Sequence, residues 1–159
     1  MKTFTKITAI LLLVLTTTSC FVDGLAGIKG NGDVVTEDRT IHSNFNSIKV
    51  QQGIQVFLTQ GNSTELRVEA DENIIDLLIT EVKNNELKIY FEKNVYKAKS
   101  RNVYLTANEI SKIKTSSGAL VKTENTLETN TIELDSSSGS SIKVTVNANE
   151  ISSSSSSGA

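Results

Sequence analysis

The sequence predicts an all-β protein built as a β-solenoid, and three observations lead there. Apolar and polar residues alternate in segment after segment from Val34 onward. Period two with one apolar face marks strands half buried against a core. Second, "KIKTSSGALV" (Lys112–Val121), "TIELDSSSGSSI" (Thr131–Ile142) and "EISSSSSSGA" (Glu150–Ala159) align with one another. In them Ile113, Ile132 and Ile151 are 19 residues apart, while Gly118, Gly139 and Gly158 are 21 and then 19 apart. Third, "SIKVQQGIQV" (Ser47–Val56) repeats the same order, isoleucine and then glycine five residues later. A repeat of about 20 residues with glycine and serine turns suits one rung of a solenoid. Three short strands would fill a rung, isoleucines would stack as an internal ladder, and small residues would take the corners. The alternative weighed against this is a serine- and threonine-rich strand protein whose few repeats arise by chance. A leucine-rich solenoid is set aside, because leucine does not recur in fixed places.

The 159 residues make one domain's worth of chain, and 38% are hydrophobic, enough for a core. The net charge is −2 and the basic residues are scattered. That excludes the clustered positive stripe of a nucleic-acid binder. Residues 1–19 read as a lipoprotein-type signal peptide. Lys2 and Lys6 precede an apolar run from Ile7 to Leu15, and small polar residues follow. The run is too short to span a bilayer as a helix. Cys20 is the single cysteine, so no disulfide forms within the chain. Its place resembles that of the lipid-bearing first residue of a mature bacterial lipoprotein. Ser19 fits that pattern, and Thr17 departs from the usual leucine. The alternative is ordinary cleavage near Ser19, leaving a free thiol. Without Lys2 and Lys6 the 16 basic residues fall to 14 against 18 acidic, a net of −4.

Residues 20–30 read as a glycine-rich tether. Their G-x-x-G-x-G spacing lacks the strand before and helix after that a dinucleotide site needs. The domain then runs over 31–159. "SIKVQQGIQVFLTQ", "ELRVEA", "ELKIYF" and "NVYLTA" each alternate as strands. Asn84-Asn85 tolerates positive φ and predicts a hairpin turn. "DENIIDLLI" (Asp71–Ile79) is the one helical candidate, a turn or two long, with Asp71 as its cap. In the repeats, the serines at Ser136–Ser138 are expected to absorb the two-residue difference at a corner. "SSSSSSGA" at the end reads as a rung begun and not finished.

"GNGDVV", the F-x-S-I-x-V element at Phe45–Val50, "GIQVFLTQG" (Gly53–Gly61), "LRVEADENI" (Leu66–Ile74) and the recurring S-S-G-A or S-S-G-S together resemble the head GIN domain. This auto-transporter adhesin head family is found widely in Bacteroidetes envelope proteins. The likeness runs from Ile28 to the end. It implies a right-handed parallel β-helix, export and often a lipoprotein signal, with no catalytic residues to carry over.

The residues point away from catalysis. His42 is the only histidine, which rules out a multi-histidine zinc site and leaves any histidine-based triad without support. Glu69, Asp71 and Glu72 cluster in "VEADEN" and could serve as a carboxylate pair. A solvated strand end leading into a helix cap explains them better. Calcium-binding glycine–aspartate repeats are absent. "NST" (Asn62–Thr64) matches a glycosylation sequon and is coincidence in a bacterial chain. The expectation is a non-enzymatic, lipid-anchored envelope protein without cofactor or metal, at the outer membrane. Its partners would be the membrane, through Cys20, and a glycan or protein surface ligand. A polysaccharide-processing enzyme and an envelope-sensing accessory are the other readings.

Overall fold

The computed structural model describes residues 27–159. The signal segment and Cys20 lie outside the described residues. Within the expected tether, Ile28–Lys29 forms strand β1, which pairs in parallel with β8 (Val95–Lys97). The tether therefore ends earlier than the glycines alone indicate.

Twelve further strands build two six-stranded sheets. In chain order they are β2 (Val34–Arg39), β3 (Ser47–Val50), β4 (Gln55–Gln60), β5 (Glu65–Asp71), β6 (Leu78–Lys83), β7 (Glu86–Phe91), β9 (Arg101–Ala107), β10 (Lys112–Thr115), β11 (Leu120–Glu128), β12 (Thr131–Ser136), β13 (Ser141–Asn147) and β14 (Glu150–Ser155). One four-residue helix, α1 (Glu72–Ile75), interrupts them. The first sheet has the order β14-β12-β10-β3-β7-β6, the second β13-β11-β4-β9-β5-β2, and neither closes into a barrel.

The all-β expectation holds, but an all-parallel β-helix over 31–159 does not describe the pairing, because both sheets are mixed. From β14 to β7 in the first sheet every neighbour is parallel, and β6 then joins β7 antiparallel. In the second sheet β13, β11, β4 and β9 run parallel, and β5 and β2 antiparallel. The cause at β6–β7 is local. Asn84 and Asn85 both take positive φ, 55° and 60°, and Lys83 faces Glu86 across a two-residue turn. A link that short joins only antiparallel strands.

Each repeat contributes two strands rather than three, one to each sheet, joined at a serine–glycine corner. Gln52-Gly53, Ser117-Gly118, Ser138-Gly139 and Ser157-Gly158 are all left-handed pairs, with φ from 53° to 76°. The corners stack: Gly53 N–H donates to the Ser117 carbonyl, Gly118 to Ser138 and Gly139 to Ser157, at 2.9–3.2 Å. The serines thus belong to the fold. Deeper in, the hydroxyls of Thr115, Ser136 and Ser140 lie 2.9–3.1 Å from one another, in the part of the core where aliphatic residues give way to small polar ones.

The internal ladders differ from the isoleucine alignment. Ile113 faces Ile48 on one side and Leu134 on the other, and Ile132 faces Ile151. Nor do Ser136–Ser138 absorb the two-residue difference. It sits in β11, where three residues (123–125) oppose one of β13 between the pairs Lys122–Lys143 and Thr126–Thr145. The corner is a tight turn locked by its own hydrogen bonds and has no room for an insertion. A strand takes extra residues as a bulge. In the second sheet Ile142, Val121, Val56, Val103 and Val68 line up across five strands on the core side. Burying each such side chain contributes roughly 1.5–3 kcal/mol.

Candidate functional site

The three acids singled out in "VEADEN" do not converge on one point. The Glu69 carboxylate accepts from the Ser100 hydroxyl at 2.7 Å and the Asn102 amide at 2.9 Å. Asp71, fully buried, stands at the N-cap position of α1 yet makes no side-chain cap bond. Its carboxylate instead accepts the backbone N–H groups of Gly32, Lys99 and Ser100, each at 2.9 Å. Burial works against that charge, but the N–H groups of Ser100, Lys99 and Gly32, with the Lys99 ammonium, outweigh it. They hold the carboxyl below the usual aspartate range. Gly30 packs so close that an added Cβ would lie 2.1 Å from Asp71 Oδ2. Asp71 is a clasp for the incoming chain. Glu72 is exposed on α1. His42 is exposed in the loop between β2 and β3, and Asn62 is exposed in the loop after β4.

A different site emerges on the outer face of the second sheet. Alternation in β4 and β9 turns Val56, Leu58, Val103 and Leu105 inward, leaving Phe57 and Tyr104 outward on neighbouring strands. Their rings stack with centroids 5.2 Å apart and planes 15° apart. Register extends the row: Lys122 and Lys143 beyond Phe57, Arg67 and Asp38 beyond Tyr104. Arg67 Nε donates to Asp38 Oδ1 at 2.7 Å, which lowers the carboxyl's pKa and raises that of the guanidinium. Thr59, Thr106 and Glu65 form the next row.

Apart from Lys122 and Lys143, which lie outside it, these side chains line a groove of about 540 Å³, the Phe57–Tyr104 pair on its floor. One wall is Thr40, Ile41 and Thr64. On the other stands Glu124, carried on the β11 bulge and held by Lys122 at 3.0 Å. Asn125, beside it, accepts the Gln60 N–H and donates to the Gln60 carbonyl, both at 2.9 Å. The two extra residues of that repeat therefore shape the groove. Bulges commonly re-aim side chains in this way.

The groove escapes a search for acids, histidines and cysteines. Its signal lies in the same alternation that marks the strands: an aromatic on the polar phase of each of two strands. Only pairing makes those two residues neighbours. Among the described residues no cluster of His, Cys, Asp and Glu could hold a metal ion. No helix there is long and apolar enough to cross a membrane.

The family model "Putative auto-transporter adhesin, head GIN domain" matches residues 44–159. No curated protein matches the chain. Among solved structures, a "putative adhesin" of Bacteroides fragilis aligns with TM-score 0.73 at 22% identity, covering 81% of this chain and 61% of that one. A second "putative adhesin", of Parabacteroides merdae, aligns with TM-score 0.71 at 22% identity over 80% and 55% of the two chains. A "putative lipid binding protein" of Parabacteroides distasonis gives 0.68 at 21%, over 76% and 53%. At this identity the likeness is one of fold. The chain spans between about half and three fifths of the length of these proteins.

Proposed function

This chain belongs to the family of the auto-transporter adhesin head GIN domain, and from that premise we propose that it is a non-enzymatic surface-interaction module of the bacterial cell envelope. Cys20 carries lipid and holds the exported body at the outer membrane. The repeats from β10 onward wind as a β-helix, their stacked corners and parallel strands supporting that reading. The observation that carries the function is the outward groove with an aromatic floor. An exposed apolar patch rimmed by polar residues marks an interaction site, and aromatic side chains are enriched where binding energy concentrates. The non-enzymatic reading draws support from the acids. Glu69 and Asp71 are spent on hydrogen bonds within the fold and do not face a common cavity.

Two experiments test this. Radiolabelled palmitate should enter the wild-type protein in the producing cell and not the Cys20→Ser variant; equal labelling of both removes the anchor. Beads coated with the purified chain should be retained on whole bacterial cells or on mucin above uncoated beads. Retention equal to that of uncoated beads sinks the surface-interaction function.

A further inference from the structure

We propose that the groove across β11, β4, β9, β5 and β2 binds a neutral oligosaccharide, a reading that rests on the surface-interaction function above and specifies its ligand. Three features of the groove select that chemistry.

The first is the floor. Phe57 and Tyr104 form an apolar patch, Tyr104 being 41% exposed, within a face that is otherwise polar. A sugar ring has an apolar C–H face that packs on aromatic carbon, while its hydroxyls need partners around the rim.

The second is the supply of those partners. Among the described residues no hydrogen bond reaches the hydroxyls of Thr59, Thr64, Thr106 or Tyr104, all of which line the groove. A hydroxyl both donates and accepts, so it matches a sugar hydroxyl in either sense.

The third is charge. Both arginines lining the groove are committed, Arg67 to Asp38, and Arg39 to Glu37 and the carbonyls of Ile75 and Leu78. Lys122 is paired with Glu124, and Glu65 accepts the Ser63 hydroxyl and adds its negative charge to the field on Arg67. A groove for an acidic polymer would keep spare cations facing its ligand. This one has none on its lining, and its carboxylates retain lone pairs for hydroxyl donors. The extent fits more than one ring. Five strands spaced about 4.8 Å apart give a row of roughly 19 Å.

The test titrates cellotetraose, maltotetraose and mannotetraose into the purified chain by calorimetry, with tetragalacturonate as the acidic comparator. At least one neutral tetrasaccharide should bind. Tyr104→Ala and Phe57→Ala should each weaken it at least tenfold, and Glu124→Gln severalfold. Tyr96→Ala, an exposed aromatic outside the groove, should leave it unchanged. Because Glu124 is exposed, its variant also reports on the groove if an aromatic substitution disturbs folding. The proposal is overturned if no neutral tetrasaccharide binds, if the groove variants bind as the wild type does, or if tetragalacturonate binds more tightly. Failure here with coated beads still retained on cells would remove the saccharide and leave a protein ligand. Failure of both would remove the surface-interaction reading as well.

Discussion

Asp71 shows how little a residue's type says about its task. In sequence it is an acid beside two others, ahead of a helix. In the fold it is a buried anion held by three N–H groups, with Gly30 pressed against it. Hydrogen bonds to charged groups are worth roughly 1.5–3 kcal/mol each. Asp71→Ala should therefore lower unfolding stability by on the order of 3 kcal/mol, measured by urea titration. Since the folded carboxyl titrates below its unfolded value, its contribution is full above about pH 4. It is lost as pH falls through the folded pKa. The urea midpoint of the wild type should drop as pH falls below about 4, and that of Asp71→Asn should drop less. Gly30→Ala should also destabilise the wild type, and less so in the Asp71→Ala background, because the atom it strikes is gone. Equal effects in both backgrounds would contradict the clasp. Gly139 has no atom near its missing Cβ and φ of +69°. Gly139→Ala should then cost only the left-handed backbone penalty, about 1 kcal/mol.

At the scale of elements, the repeat has one rigid part and one adaptable part. The corner is rigid: two left-handed residues and a stacking hydrogen bond recur four and three times. The strand adapts, and β11 stores the extra residues as a bulge that lifts Glu124 to the groove. Asn125 seals the bulge by bonding both polar groups of the Gln60 backbone. Asn125→Ala should cost about 1 kcal/mol by urea titration. The amide of Gln60 should exchange its hydrogen faster as well, and unchanged exchange would contradict the seal. The corners were legible in sequence because serine and glycine recur in phase. The bulge was not. Two extra residues shift the spacing identically wherever they sit, and only register locates them. The hairpin was legible because Asn84-Asn85 is a local signal, and the four-residue α1 was legible only in outline.

Over the whole molecule, burial falls towards one end of the sheets. Val121, Val56, Val103 and Val68 are at most 1% exposed along their ladder, whereas every residue of β14 is exposed and Ile151 is 53% exposed. Local opening is easiest where few apolar contacts hold a strand. Among the strands, the amides of β14 should exchange hydrogen fastest and those of β4 and β9 slowest. Equal protection would argue for a single cooperative unit.

The sequence by itself determined the local chemistry: which segments are strands, which face of each is apolar, where the corners turn and which dipeptide makes a hairpin. These depend on residues within a few positions of one another. Tertiary structure decided the rest: mixed rather than all-parallel sheets, Ile113 against Leu134 rather than in line with Ile132, Asp71 as a clasp, and Phe57 beside Tyr104. Apart from the local β6–β7 hairpin, each is a matter of partners 21 to 47 positions apart. Alternation states which way a side chain points, but strand register alone states what it meets there.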